Sequence, residues 1–475
     1  MVRSPLLLFL SSRSIETRHC HSPSSSTTNS PCLTQKSSAI DNGAITSSSS
    51  SRWRQRTANK RRRTEELLDY IENYDCLQTH PNSSPNFSSF ISDDIPTLRI
   101  PSTSLIDWDT IPPELDPMRG GRIRSNDSAG MKRGIRKRLQ IQAFYYLLET
   151  IIHQRKNEDE STTHRRHPSS SSSSSKGLTI IDAGCGAGNL AISLAGLLLL
   201  SRSDIGRNVH ILAVDINEVA LDFLTRRAAA SLDVNIVQTL CADLSEHERI
   251  LSHIPIDNDV VVLSLHACGA ASDYAMELAY RCKASFIVCP CCTAKSLTRR
   301  DTNNGDTTIS SWTLSSSQRS GSSIDIEYPR SVWLRDKLSS MHRQVSTLLD
   351  TGDIDNKVIV AEEGIDSSSV DDFDCYYSIL AKVADVGLGP QTPSQQRVHQ
   401  RRAKRIVELD RAMRAVEQHE YNVHLMRLPD DDPWGYSKGE VMIGLPHGSA
   451  AASRLGLGTI LSSEHVNSDD LNIPH

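Results

Sequence analysis

Three glycines alternate with small residues directly after an acid in Asp182-Ala183-Gly184-Cys185-Gly186-Ala187-Gly188. Glycine there allows a sharp turn and lets a ligand press against bare backbone. The run Thr179-Ile180-Ile181 ahead of it reads as a short buried strand, and Asn189 to Leu200 as the helix that follows. A strand, a glycine loop and a helix in that order point to a nucleotide-type cofactor loop. A dinucleotide fingerprint needs glycine or alanine at position 189, where tight helix packing lets a pyrophosphate approach. Position 189 is Asn, so a hydride-transferring dehydrogenase is disfavoured.

More acids stand at the ends of further apolar runs. Val209 to Asp215 ends in a carboxylate able to accept both hydroxyls of a ribose. Asn235 to Leu240 leads to Cys241-Ala242-Asp243, and Asp259 to Leu265 leads to His266. In an open α/β sheet, ligands bind beyond the carboxyl ends of the strands, so these residues should converge on one crevice. Each acid alone could simply cap the following helix. Four strand ends in order shift the balance toward a cofactor, least strongly for Asp182.

The G-x-G-x-G spacing after an acid resembles the first motif of class I S-adenosylmethionine-dependent methyltransferases. The resemblance implies that Gly184, Gly186 and Gly188 cradle the methionine portion of the cofactor, with Asp182 reaching its ammonium through backbone or water. It also implies that Asp243 contacts the adenine amino group. Leu265, at the end of the fourth strand, completes the expected cofactor set. The implied fold is α/β and Rossmann-like, a mostly parallel seven-stranded sheet with an antiparallel last strand. Tyr421 to Leu428 and Glu440 to Leu445 supply the final pair of strands.

Leu265-His266-Ala267-Cys268-Gly269-Ala270-Ala271-Ser272-Asp273, followed by Cys289-Pro290-Cys291-Cys292, narrows the resemblance. The pair is similar to the methyltransferase domain of the glutathione S-transferase C-terminal domain-containing proteins. A related H-x-C-G pattern occurs in the zinc-finger tRNA 2′-O-methyltransferases, which implies RNA, and tRNA in particular, as acceptor. The similarity runs from roughly position 110 to 446. The glutathione S-transferase-like domain itself finds no room in the first hundred residues, and nothing about glutathione carries over. A scaffold or RNA-binding module that keeps the cofactor site without catalysis is the alternative reading, since no acceptor motif of N-P-P-Y type follows the fourth strand.

His266 could act as a general base, its ordinary pKa of about 6.5 lying near neutrality, or could hydrogen-bond the cysteine loop as an interior residue. Cys289, Cys291 and Cys292, with Cys268 or His266, could form a soft-metal site. C-x-C-C lacks the two-residue spacer of zinc knuckles. A tight Cys-Pro turn with thiols serving as small hydrophobes is therefore preferred, and no metal is expected.

The chain of 475 residues has a formal net charge of −5, which gives no global nucleic-acid signature. Two local clusters run against that balance: Arg119 to Arg138, and Arg401 to Arg405. Either is a solvated helix face by default, or a phosphate-binding surface if both flank the crevice. Lys60 to Arg63 reads as a flexible basic tail.

Residues 1–18 carry Arg3, Arg13 and Arg18 around a short apolar patch, a transit-peptide composition that favours an organelle, mitochondrion or plastid, over the cytoplasm. The patch is too short to span a membrane, and no membrane partner is expected. The eleven cysteines show no disulfide-style spacing. Residues 19–95 read as low complexity with a short helix, 96–160 as a basic helical cap, and 177–446 as the methyltransferase domain. The serine run Ser169 to Ser175, the insertions 301–323 and 352–374, and the tail 447–475 should stay unstructured.

Overall fold

A computed structural model describes residues 48–73, 95–120, 128–163, 177–200, 208–232, 236–292, 326–350, 373–385, 394–429 and 439–447. The expected transit peptide, the serine run, the insertion 301–323, residues 352–372 and the tail after residue 447 lie outside these. The chain divides into two units, Met1–Thr57 and Ala58–His475. Of the first, only the opening turns of helix α1 (Ser48–Asn73) are described.

The second unit is built on a seven-stranded sheet. Its strands are β1 (Leu178–Ala183), β2 (Val209–Asp215), β3 (Val237–Cys241), β4 (Asp259–Leu265), β5 (Ser285–Cys289), β6 (Tyr421–Arg427) and β7 (Glu440–Pro446), in the spatial order β3-β2-β1-β4-β5-β7-β6. The first five pair in parallel, and β7 runs antiparallel to both β5 and β6. Strand order reverses between β1 and β4, which opens the ligand crevice of a doubly wound sheet at that point. In register, Asp182 stands beside Leu263, Asp215 beside Cys241, and Leu265 beside Cys289.

Alternate residues of each strand serve opposite layers. Ile180, Ile211, Val261 and Leu263 pack with α2 (Ser128–Thr163), α3 (Asn189–Leu200) and Leu224 of α4 (Glu218–Ser231). Ile181, Leu212, Val262 and Phe286 pack on the other face. That face is covered by α5 (His247–Leu251), α6 (Ala270–Cys282), α7 (Val332–Asp350), α8 (Phe373–Ala384) and α9 (Ser394–His419). Parallel strands buried on both sides must be apolar almost throughout, and β1, β4 and β5 are.

Two regions depart from the sequence-based expectation. Lys60 to Arg63 lies inside the 26-residue α1 and is no flexible tail. Its polar composition hides a narrow stripe in which Leu67, Leu68 and Ile71 enter the core, while Arg402 of α9 bonds Asp69 and Glu72. The basic cap is also continuous with the sheet's own packing: Ile141, Phe144, Leu148 and Ile151 of α2 share a core with Ile180 and Leu194. Buried Asp116 fastens the segment before α2, accepting from Arg119 Nε at 2.6 Å and from Arg138 Nε at 3.0 Å. Burial alone would raise its pKa, and bonds from Arg138, Met118 and Arg119 hold it below the usual carboxylate value.

Candidate active site

The glycine loop takes its shape from three residues of left-handed backbone, with φ of 76° at Gly184, 53° at Gly186 and 73° at Gly188. The reasons differ along the loop. A Cβ at Gly188 would lie 2.3 Å from Leu224, so that glycine serves helix packing. A Cβ at Gly186 would meet nothing within 4 Å, so its bare backbone faces open space. That is the cradle a bound ligand would fill.

Carboxylates brace the loop from both sides. Gly186 N–H donates to Asp215 Oδ2 at 2.8 Å, and Asn217 N–H to Asp215 Oδ1 at 2.8 Å. Asp182, only 2 % exposed, accepts from Ala191 N–H in the first turn of α3 at 3.1 Å. It thus does cap the helix, and it also sits at the crevice. Burial raises its pKa to about 7 against the opposing charge of Lys137, and the like charge of Asp215 pushes the same way. Burial in turn brings Lys137 down to about 8, opposed by the charge of Asp182.

Lys137 is a site residue that sequence reasoning treats only as one of a basic run. Its helical position, one turn before buried Gln140, is the available signal. Arg227 escapes sequence reasoning altogether. It donates to Asn189 Oδ1 at 2.9 Å, to Ala187 O at 3.3 Å and to Glu114 O at 2.7 Å, pinning the glycine loop to the cap. Asn189, the residue that breaks the dinucleotide fingerprint, is therefore held by a side chain 38 positions away.

Asp243 reaches the same edge, where its Oδ1 accepts from Ser245 N–H and Oγ at 2.9 Å each, as in an Asx turn. Leu265 is 6 % exposed and its side chain belongs to the core layer beneath the sheet. His266 follows it with φ of 68°, a strained value for a residue with a Cβ. Its Nε2 donates to Gln140 Oε1 at 2.9 Å and its N–H to Cys289 O at 3.1 Å. The backbone of His266 therefore ties the cysteine loop, while its ring is held by Gln140 of α2.

The loops after β4 and β5 rest on a buried ionic network. Asp273 accepts from Arg330 Nη2 at 2.6 Å and from Arg411 Nε at 2.8 Å. Arg411 also bonds Glu408 at 2.8 Å and Gly269 O at 3.2 Å. Asp410 accepts from Arg330 Nη1 at 3.0 Å and from Ser331 N–H and Oγ at 2.8 and 2.7 Å. Lys404, with no exposed surface, pairs with Glu408 and donates to Pro290 O at 3.2 Å. The cluster Arg401 to Arg405 is therefore split. Lys404 supports the cysteine loop from inside, and Arg402 is bound to α1. Of the other cluster, Arg119 and Arg138 hold Asp116, Lys137 faces Asp182, Arg122 and Arg124 lie outside the described residues, and Lys132 and Arg133 are exposed.

Residues 136–299 match the family model described as a methyltransferase domain. A glutathione S-transferase C-terminal domain-containing protein of Bos taurus is 22% identical over 190 residues, which cover 40% of this chain and 23% of that protein. The chain thus spans less than a quarter of the length of the curated relative it matches. Among solved structures, DszA carbon methyltransferase is 14% identical, covering 37% of this chain and 44% of its own, with a TM-score of 0.23. Geranyl diphosphate methyltransferase in complex with GPP and sinefungin is 12% identical, covering 47% and 65%, with a TM-score of 0.19. Residues 136–299 thus resemble a methyltransferase domain, and the strand order, with its glycine loop at the β1–β4 switch, is that of a Rossmann-like doubly wound sheet.

Proposed function

We propose that this chain is a methyltransferase that uses S-adenosylmethionine and that its acceptor is RNA, of the transfer-RNA class. The observation that carries the cofactor assignment is the bare backbone of Gly186, facing open space and fixed by Asp215. The donor set fits the group. Asp215 would receive the ribose diol, buried Asp182 would balance the ammonium, and the glycine backbone would leave room for the methionine chain. The bound cofactor supplies an electrophilic methyl group. The protein's part is then to hold the acceptor in line and keep water out.

The acceptor assignment rests on α2. Exposed Lys132 and Arg133 precede, on the same helix, Lys137 beside Asp182 and Gln140 beside His266. A phosphate backbone held at the start of that helix would therefore present its neighbouring nucleotide toward the crevice.

The test is transfer of labelled methyl groups to total RNA, protein and small molecules in parallel. Label in RNA, reduced by Lys132→Glu with Arg133→Glu, is expected. Label in protein or small molecules alone would overturn the RNA assignment. Cofactor binding with transfer to no acceptor would favour the scaffold reading.

A further inference from the structure

The spacing of the cysteines along the chain argues against a metal, because C-x-C-C has no two-residue spacer. The fold supplies what the spacing lacks. Cys268 comes from the loop after β4, and Cys291 and Cys292 from the loop after β5, 23 and 24 residues away. Their Sγ atoms converge, with Cys268 to Cys291 at 2.9 Å, Cys268 to Cys292 at 3.4 Å and Cys291 to Cys292 at 3.4 Å. All three are half-buried, while Cys289 is fully buried in the core layer and stands apart from the group.

The scaffold under these sulfurs is fixed independently of anything they bind. Gly269 N–H donates to Cys292 O at 3.0 Å, which joins the two loops directly. Ser272 Oγ closes the first loop on Ala267 O at 2.5 Å. Arg411 holds Gly269 O and Lys404 holds Pro290 O, both from within the buried ionic network. The ligand positions are thus preorganised by a rigid second layer, the arrangement a metal site requires.

We propose that Cys268, Cys291 and Cys292 bind one zinc ion as three thiolates, with the fourth corner of the tetrahedron left to an exchangeable ligand. Three grouped thiols select a soft or borderline cation, and zinc takes sulfur in four-coordinate geometry. Zinc–sulfur bonds of about 2.3 Å put tetrahedral sulfurs roughly 3.7 Å apart, so the cluster needs to open by less than about 1 Å. Binding replaces three S–H protons by one divalent ion, releases those protons to solvent and leaves a site of net charge −1. Among the described residues no fourth Cys, His, Asp or Glu joins the group. The three sulfurs stand on loops that border the cofactor cradle, since Ala267, next to Cys268, abuts Gly184 and Lys137 faces both Asp182 and Cys291; the existence of the site does not depend on the acceptor.

The experiment is metal analysis of the full-length protein as purified, followed by exchange for cobalt(II) and optical spectroscopy. One equivalent of zinc is expected, and the cobalt form should show thiolate-to-cobalt charge transfer with the ligand-field bands of tetrahedral cobalt. Cys291→Ser and Cys292→Ser should each lose at least tenfold in cobalt affinity, while Cys282→Ser, outside the group, keeps it. The wild-type spectrum stands even if a variant fails to fold. Absence of a thiolate–cobalt band in fully reduced protein would overturn the proposal. So would an unchanged band in both variants, or the reversible loss of two titratable thiols without metal, which would make Cys268 and Cys291 a disulfide pair instead.

Discussion

The main-chain N–H of Gly186 donates to Asp215 Oδ2 at 2.8 Å, so the end of β2 shapes the loop that follows β1. The hydrogen bond spans 29 residues and joins a glycine whose missing side chain leaves open space to the acid expected to hold a ribose. Removing either partner should therefore affect ligand binding more than folding.

Gly186→Ala and Gly188→Ala separate these effects. Alanine at either place carries left-handed strain of about 1–2 kcal/mol. At 188 the new Cβ also strikes Leu224, and overpacking adds about 1–3 kcal/mol. Thermal unfolding should show Gly188→Ala as the less stable variant. Cofactor titration should show Gly186→Ala losing affinity although its Tm falls less. The reverse order would contradict the cradle.

Cofactor affinity should depend on pH through Asp182. Its carboxyl titrates at about 7, raised by burial. The protonated, neutral form dominates below that value and cannot balance an ammonium. Affinity should thus fall by about tenfold per pH unit below 7 and level off above. Lys137→Met removes the charge that opposes the upward shift, so the midpoint should move to higher pH. A profile unchanged in Asp182→Asn would exclude this role.

The buried network should dominate stability. Asp273→Asn or Arg411→Met leaves the buried network one charge out of balance and should cost about 3–5 kcal/mol in chemical denaturation. Burial would raise the pKa of Asp273, but the charges and hydrogen bonds of Arg330 and Arg411 hold it well below its ordinary 3.8. A depressed carboxylate contributes stability that is present above its unfolded value and lost as pH falls through the folded one. Wild-type protein should accordingly lose stability below about pH 4, and Asp273→Asn should show a shallower acid slope. Equal slopes would mean that Asp273 does not set the acid limit.

The strands and their order are legible because each buried parallel strand is an unbroken apolar run ending in a chemically distinct residue: Asp182, Asp215, or Leu265 before His266. Bonds formed across long separations are not. Lys404 and Arg402 read as solvent-facing charges, since Glu408 lies one helical turn on and Glu72 is 330 positions away. Arg227 carries no signal of its bond with Asn189. Leu67, Leu68 and Ile71 are too few apolar residues to lift α1 out of a polar background. The nearness of the two cysteine loops is legible from the order of β4 and β5, but not that Cys268, Cys291 and Cys292 converge while Cys289 turns into the core.

An exposed basic start to α2 predicts salt-sensitive RNA binding. Charge reversal at Lys132 and Arg133 should weaken it and reduce the salt slope by about 1 for each phosphate left unpaired. Tm should stay within about 1 °C, as exposed substitutions are near-neutral. An unchanged slope would move the RNA surface elsewhere.

Whether the glycine loop holds S-adenosylmethionine is read most simply by titrating that compound into the protein, beside Asp215→Ala. Saturable one-to-one binding is expected. Losing hydrogen bonds to a charged carboxylate, worth about 1.5–3 kcal/mol, should weaken the variant by at least about tenfold. Absence of binding to the wild-type chain, or equal affinity in the variant, would contradict the assignment of the glycine loop and Asp215 as the cofactor site.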